Sequence, residues 1–165
     1  DTITEEKLDA IMRVGANRIC VNPQTLNDKT LKEIGRSHTA EDFYRKFALA
    51  RKYDFSVNVD LIAGLSGETF EDFAFSLDKI AELAPENVTV HTLSRKNGSE
   101  LKQEGKIDNS HVSRMTDYAL RELTGKGYVP YYLYRQKQML GNLENAKNAI
   151  LADVEAELDA PQEEA

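Results

Sequence analysis

The residues Asn58-Val59-Asp60-Leu61-Ile62-Ala63-Gly64-Leu65-Ser66-Gly67-Glu68-Thr69 combine the amide of Asn58, the acid of Asp60 and two glycines within one strand-and-turn pattern. Side chains alternate along a strand, so Asp60 shares a face with Asn58, while Gly64 and Gly67 allow the backbone to approach a ligand just past the strand end. An acid there can grip a hydroxyl or an amine. The plainer alternative is a buried Asp satisfied by backbone amides beside an ordinary strand-to-helix turn, and two glycines in a short loop do not separate the two. A second set is Asn22-Pro23-Gln24-Thr25-Leu26-Asn27 with Gly35-Arg36-Ser37-His38-Thr39. Gln24 follows a strand end, where an amide reads polar ligand groups. Arg36 sits in a helix-to-helix connection, where a guanidinium pairs with a carboxylate. Capping by Gln24 and Asn27, with Arg36 in a surface ion pair, is the competing account.

A third set runs from Tyr131-Tyr132-Leu133-Tyr134-Arg135-Gln136-Lys137 to Gly141-Asn142-Leu143-Glu144-Asn145. Rings next to cations can flank a flat macrocycle and pair with its acid groups, or can form an amphipathic edge strand with a solvated basic end. His38 reads as a turn or capping residue. His91 and His111 lack metal-like spacing, and the single cysteine, Cys20, cannot supply a multi-thiolate site, so no metal site is expected from these residues.

These groups need elements to position them. Helical spacing predicts a helix over 4–14 capped by Thr4 and stopped by Gly15, two helices over 27–34 and 39–53, one from Thr69 that ends before Pro85, and one over about 110–126. Short apolar or alternating runs predict strands at 18–22, 56–62, 87–93 and 129–134. Alternating strands and helices predict an α/β class with a parallel sheet and outer helices. About four strands fall short of a closed eight-stranded barrel, which takes roughly 250 residues, so a partial barrel is expected with the missing part on the N-terminal side. Residues 1–145 read as this barrel portion. Residues 146–165 read as an acidic, weakly amphipathic helical or disordered tail around Ile150, Leu151, Val154 and Leu158.

Composition narrows the partners. With 165 residues and 41% hydrophobic content the chain can bury a core of ordinary size. A net charge of −7 without a Lys/Arg-dense stripe argues against a nucleic-acid surface. No run approaches the roughly 20 apolar residues needed to cross a bilayer, and no signal-peptide pattern opens the chain, so a cytoplasmic protein without a membrane partner is expected.

Taken together, the blocks resemble the radical S-adenosylmethionine (SAM) enzymes of the oxygen-independent coproporphyrinogen III oxidase family, also called coproporphyrinogen dehydrogenase. The resemblance spans about residues 1–145 and rests on the order of the Arg18-Ile19 strand with Val21 and Gln24, Asn27-Asp28 through Gly35-Arg36 and His38-Thr39, then Asn58 through Thr69. The block from Tyr131 to Asn145 looks closest to the HemZ-type branch. By that similarity Gln24, Arg36 and Asp60 match positions that bind SAM, Ser94 falls at the equivalent contact after the next strand, and Gly64 lies in the matching turn. The resemblance further implies a 4Fe-4S cluster held by a Cys-x3-Cys-x2-Cys loop in the full-length parent. A deoxyadenosyl radical would then act on a propionate of a tetrapyrrole substrate, with loss of carbon dioxide, in porphyrin and haem biosynthesis. That cysteine loop is absent here, so the expectation is a C-terminal fragment of such an oxidoreductase that is inactive alone, its electron donor undetermined. A related radical SAM protein that handles haem, or a non-catalytic interaction module, are the alternative readings.

Overall fold

The computed structural model describes residues 3–93, 109–134 and 145–150, and their local structure follows from short-range chemistry. Helix α1 (Glu5–Arg13) begins where the Thr4 hydroxyl accepts the Lys7 N–H, and α2 (Asp28–Glu33) where Asn27 accepts from Lys29 and Thr30. Helices α3 (Ala40–Ala50) and α4 (Phe70–Glu82) each open with a reciprocal capping box, Thr39 with Asp42 and Thr69 with Asp72. The backbone N–H of each capping threonine also anchors its aspartate, which holds both carboxyls below the usual range. Helix α5 (Asn109–Gly125) precedes the last two strands of the described chain.

Strands β1 (Arg18–Cys20), β2 (Ser56–Ala63) and β3 (Asn87–Thr92) pair in parallel, with Cys20 opposite Asn58 and Asp60 opposite Thr89. Strand β4 (Tyr128–Tyr134) does not join β3 directly. Strand β5 (Asn145–Ile150) lies between them, antiparallel to both, giving the order β1-β2-β3-β5-β4. The expected parallel strands are β1, β2 and β3; two antiparallel strands extend that sheet, and residues 146–150, read as the start of the tail, belong to one of them, so the boundary drawn at 145/146 falls inside an element. The reason is tertiary. The sequence Asn-Ala-Lys-Asn-Ala-Ile has no strong strand propensity, but both its edges find backbone partners between β3 and β4. Residues 151–165, and with them the rest of the expected tail, lie outside the described residues.

The two faces of the sheet differ sharply. Val57, Val59, Leu61, Val88 and Val90 point to one side and pack against Leu8 of α1, Phe43 and Phe47 of α3, Phe73, Leu77 and Ile80 of α4, and Met115 and Leu123 of α5. Each of these buried side chains contributes about 1.5–3 kcal/mol of hydrophobic stabilisation. The opposite face presents Arg18, Cys20, Ser56, Asn58, Asp60, Asn87, Thr89 and His91 by strand alternation. Arg18 donates to the Tyr131 hydroxyl at 3.4 Å, which links β1 to β4, the two edges of the five-stranded sheet. Four strand spacings of about 4.8 Å would hold the edges of a flat sheet roughly 19 Å apart, too far for these two side chains to meet. The sheet is therefore curled, with its polar face concave, as a portion of a barrel wall requires.

Candidate functional site

Asp60 lies at the centre of the polar network on the concave face. Asn58 donates its amide to Oδ1 at 2.6 Å, and Asn22 donates to Oδ2 at 2.7 Å. Asn22 also accepts the backbone N–H of Asp60 at 3.2 Å, so one amide grips both the main chain and the side chain of residue 60. Asn58 is itself fixed by the Thr89 hydroxyl at 3.0 Å and lies 3.6 Å from Cys20 Sγ. From β3, His91 Nε2 stands 3.5 Å from Asp60 Oδ2. Burial pushes the carboxyl towards its neutral form, but the contacts from His91 and Asn58 outweigh it and hold Asp60 below the usual carboxylate range. The side chain keeps 19% of its surface open. Asp60 is thus an ionised acceptor that a ligand can reach.

Gln24 enters through the backbone. Its N–H donates to the Asp60 carbonyl at 3.2 Å, and its carbonyl accepts from Ile62 at 2.9 Å, extending the β1–β2 pairing past Pro23. It holds φ at +71°, a left-handed conformation that a residue with a Cβ adopts at a cost and that clusters at ligand-binding sites. Gly64, at φ +88°, turns the chain immediately after β2, where only glycine is free of that cost.

Arg36 borders an adjoining cleft of about 230 Å³ whose lining includes Cys20, Asn22, His38, Asp42 and Lys46. Asn22 therefore belongs both to this cleft and to the Asp60 network, and it joins the two. His38, read as a turn or capping residue, places Nε2 3.1 Å from the Pro23 carbonyl.

Behind the rim a second network ties the β1–α2 loop to the β2–α4 loop. The Thr25 hydroxyl donates to Glu68 Oε1, accepts the Asn27 N–H at 3.1 Å and lies 3.4 Å from Ser76 Oγ, which in turn accepts the Leu26 N–H. Burial raises the Glu68 carboxyl above its ordinary value, and the Thr25 and Thr30 hydroxyls offset only part of that. Glu68 Oε2 is buried without a partner among the described residues.

Of the five residues singled out from the sequence, Gln24, Asp60 and Gly64 gather at the carboxyl end of β2, Arg36 lines the neighbouring cleft, and Ser94 lies outside the described residues. Arg135 through Glu144 of the aromatic and basic block also lie outside them, while Tyr131 is engaged by Arg18. Sequence reasoning assigned no role to Asn22, Thr25, Glu68 or His91. For His91 a signal existed: the alternation that places Asp60 on the polar face of β2 also places Thr89 and His91 on that face of β3.

Residues 1–80 match the family model described as the Radical SAM superfamily. Over 150 residues the chain is 47% identical to the oxygen-independent coproporphyrinogen-III oxidase-like protein HemZ of Bacillus subtilis, covering 88% of this chain and 30% of that protein. It is 33% identical over 94 residues to the heme chaperone HemW of the same organism, covering 56% of this chain and 25% of that one. Among solved structures, coproporphyrinogen III oxidase (HemN) from Escherichia coli superposes with a TM-score of 0.71 at 22% identity, over 90% of this chain and 33% of that structure. The likeness to HemN shows a shared fold. The chain thus spans about a third or less of the length of these relatives.

Proposed function

We propose that the chain supplies an adenosyl-binding wall of a radical SAM oxidoreductase, a reading supported by the match of residues 1–80 to the Radical SAM superfamily model. The observation that carries this reading is the Asp60 site: an ionised carboxylate, reachable from the concave face, with a cleft bordered by Arg36, His38 and Lys46 beside it. S-adenosylmethionine presents hydroxyls and an ammonium that suit an acceptor, and a carboxylate that suits a guanidinium. Asp60 and Gln24 would hold the former groups and Arg36 the latter, with Gly64 giving room for the backbone to approach and Ser94 adding a contact from beyond β3. Given an electron from a cluster held outside these residues, this cofactor would supply hydrogen abstraction from unactivated carbon.

A 4Fe-4S cluster does not fit this chain. Such a cluster is held by several thiolates, and the one cysteine, Cys20, lies on β1 among amides. No reductive step is therefore assigned to these residues. The complete protein's reaction we place as oxygen-independent oxidative decarboxylation of coproporphyrinogen III propionates. The similarity to the HemZ protein, which is both higher and longer than that to the heme chaperone, supports this over haem delivery.

The test is calorimetric titration of the chain with S-adenosylmethionine. Saturable binding that Asp60→Ala removes supports the reading; absence of binding by the unaltered chain overturns it. Incubated with dithionite and S-adenosylmethionine, the chain should yield no 5′-deoxyadenosine above a protein-free control.

A further inference from the structure

We propose that His91, on β3, and Asn22, just past β1, are positioning residues that clamp Asp60 from either side, an inference that rests on the adenosyl-binding reading above. A carboxylate on an open strand face rotates freely and is charged only as far as its surroundings allow. Here both freedoms are removed. Asn22, just past β1, fixes orientation: its amide donates to Oδ2 at 2.7 Å while its carbonyl takes the N–H of the same residue at 3.2 Å. Asn58 holds the other oxygen at 2.6 Å and is locked in turn by Thr89. From β3, His91 Nε2 approaches Oδ2 to 3.5 Å. That contact is long, and the imidazole favours the anion of Asp60 first as an N–H donor and only then through charge.

A carboxylate offers about four acceptor positions. The two asparagine amides occupy one on each oxygen and His91 faces Oδ2, which leaves only part of the carboxylate for a ligand arriving over the partly open His91–Asp60 edge. Neither Asn22 nor His91 needs to touch the ligand to matter. Each acts through the orientation or the charge of Asp60.

The experiment is a double-mutant cycle on the full chain, read as S-adenosylmethionine affinity by NMR titration, which reaches millimolar values, alongside thermal unfolding. His91→Ala and Asn22→Ala should each weaken binding roughly tenfold, the scale of one charge-assisted contact. In an Asp60→Asn background the same two changes should alter affinity less than twofold, because the carboxylate they serve is gone. His91→Gln, which retains an N–H at similar reach, should recover most of the loss and also guards against misfolding of the alanine variant. If the unaltered chain binds and His91→Ala and Asn22→Ala bind equally well, the clamp is wrong while the adenosyl site stands. If their losses persist undiminished in the Asp60→Asn background, the two residues act by another route and the proposal falls. If the unaltered chain fails to bind, the functional reading fails first and takes this one with it.

Discussion

Two acids eight positions apart in sequence take opposite electrostatic paths. Asp60, on the concave face of β2, is surrounded by amide and imidazole groups that favour its anion, and its carboxyl is pulled below the ordinary range. Glu68, in the turn that follows, is buried against hydroxyls, and desolvation raises its carboxyl above the ordinary value. Thr25 and Thr30 supply one bond each at most, and Asp72 nearby adds repulsion. The contrast shows that burial alone does not decide the charge of an acid; the number and strength of donors aimed at it do. It also separates two jobs: Asp60 offers a charge to the hollow, and Glu68 fastens together the loops that carry Gln24 and Gly64.

The largest effect that would sharpen this contrast is on ligand affinity. Asp60→Ala should weaken S-adenosylmethionine binding about 100-fold, or about 2.7 kcal/mol, whereas Glu68→Gln should leave it within about twofold. Equal losses for the two variants, measured by calorimetry, would erase the distinction.

Next in size is the latch itself. Thr25→Val removes the donor to Glu68 and the acceptor for the Asn27 N–H, leaving buried polar atoms unmatched. Chemical denaturation should show a loss of about 2–3 kcal/mol; a loss below about 0.5 kcal/mol, typical of plain surface positions, would mean the network holds nothing together.

The smallest expected effect is a pair of opposite pH slopes in thermal unfolding. The lowered Asp60 carboxyl stabilises the fold above its unfolded value of 3.8, and that contribution disappears as pH falls through the still lower folded value. Asp60→Asn should therefore be less stable than the parent near neutrality, with the gap closing in acid. The raised Glu68 carboxyl behaves inversely: its favourable contribution is present below 4.5 and is lost as pH rises through the folded value. Glu68→Gln should gain stability relative to the parent as the pH climbs from 4 towards 7. Parallel slopes for the two variants would contradict the assignment of opposite charge preferences.

Much of the fold was legible without coordinates. Thr4, Asn27, Thr39 and Thr69 cap helices within a residue or so of the expected starts, and the period-two pattern of β2 does place Val57, Val59 and Leu61 under the helices and Asp60 opposite them. Caps and alternation involve neighbours within four positions, so the local sequence contains all the information they require. The same holds for Gly15 and Gly35, whose positive φ values close α1 and α2.

The succession of elements, the sidedness of β2 and the chemical types at its end are therefore written in local sequence. Long-range contacts alone bring Asn145–Ile150 into the sheet between β3 and β4, carry Arg18 to Tyr131 across 113 positions, and converge Asn22, Asn58 and His91 on one carboxylate. Strand insertion, sheet curl and the charge of a half-buried acid are set by groups remote in sequence whose distances exist only once the chain has closed on itself, because electrostatic and hydrogen-bond energies depend on separation in space.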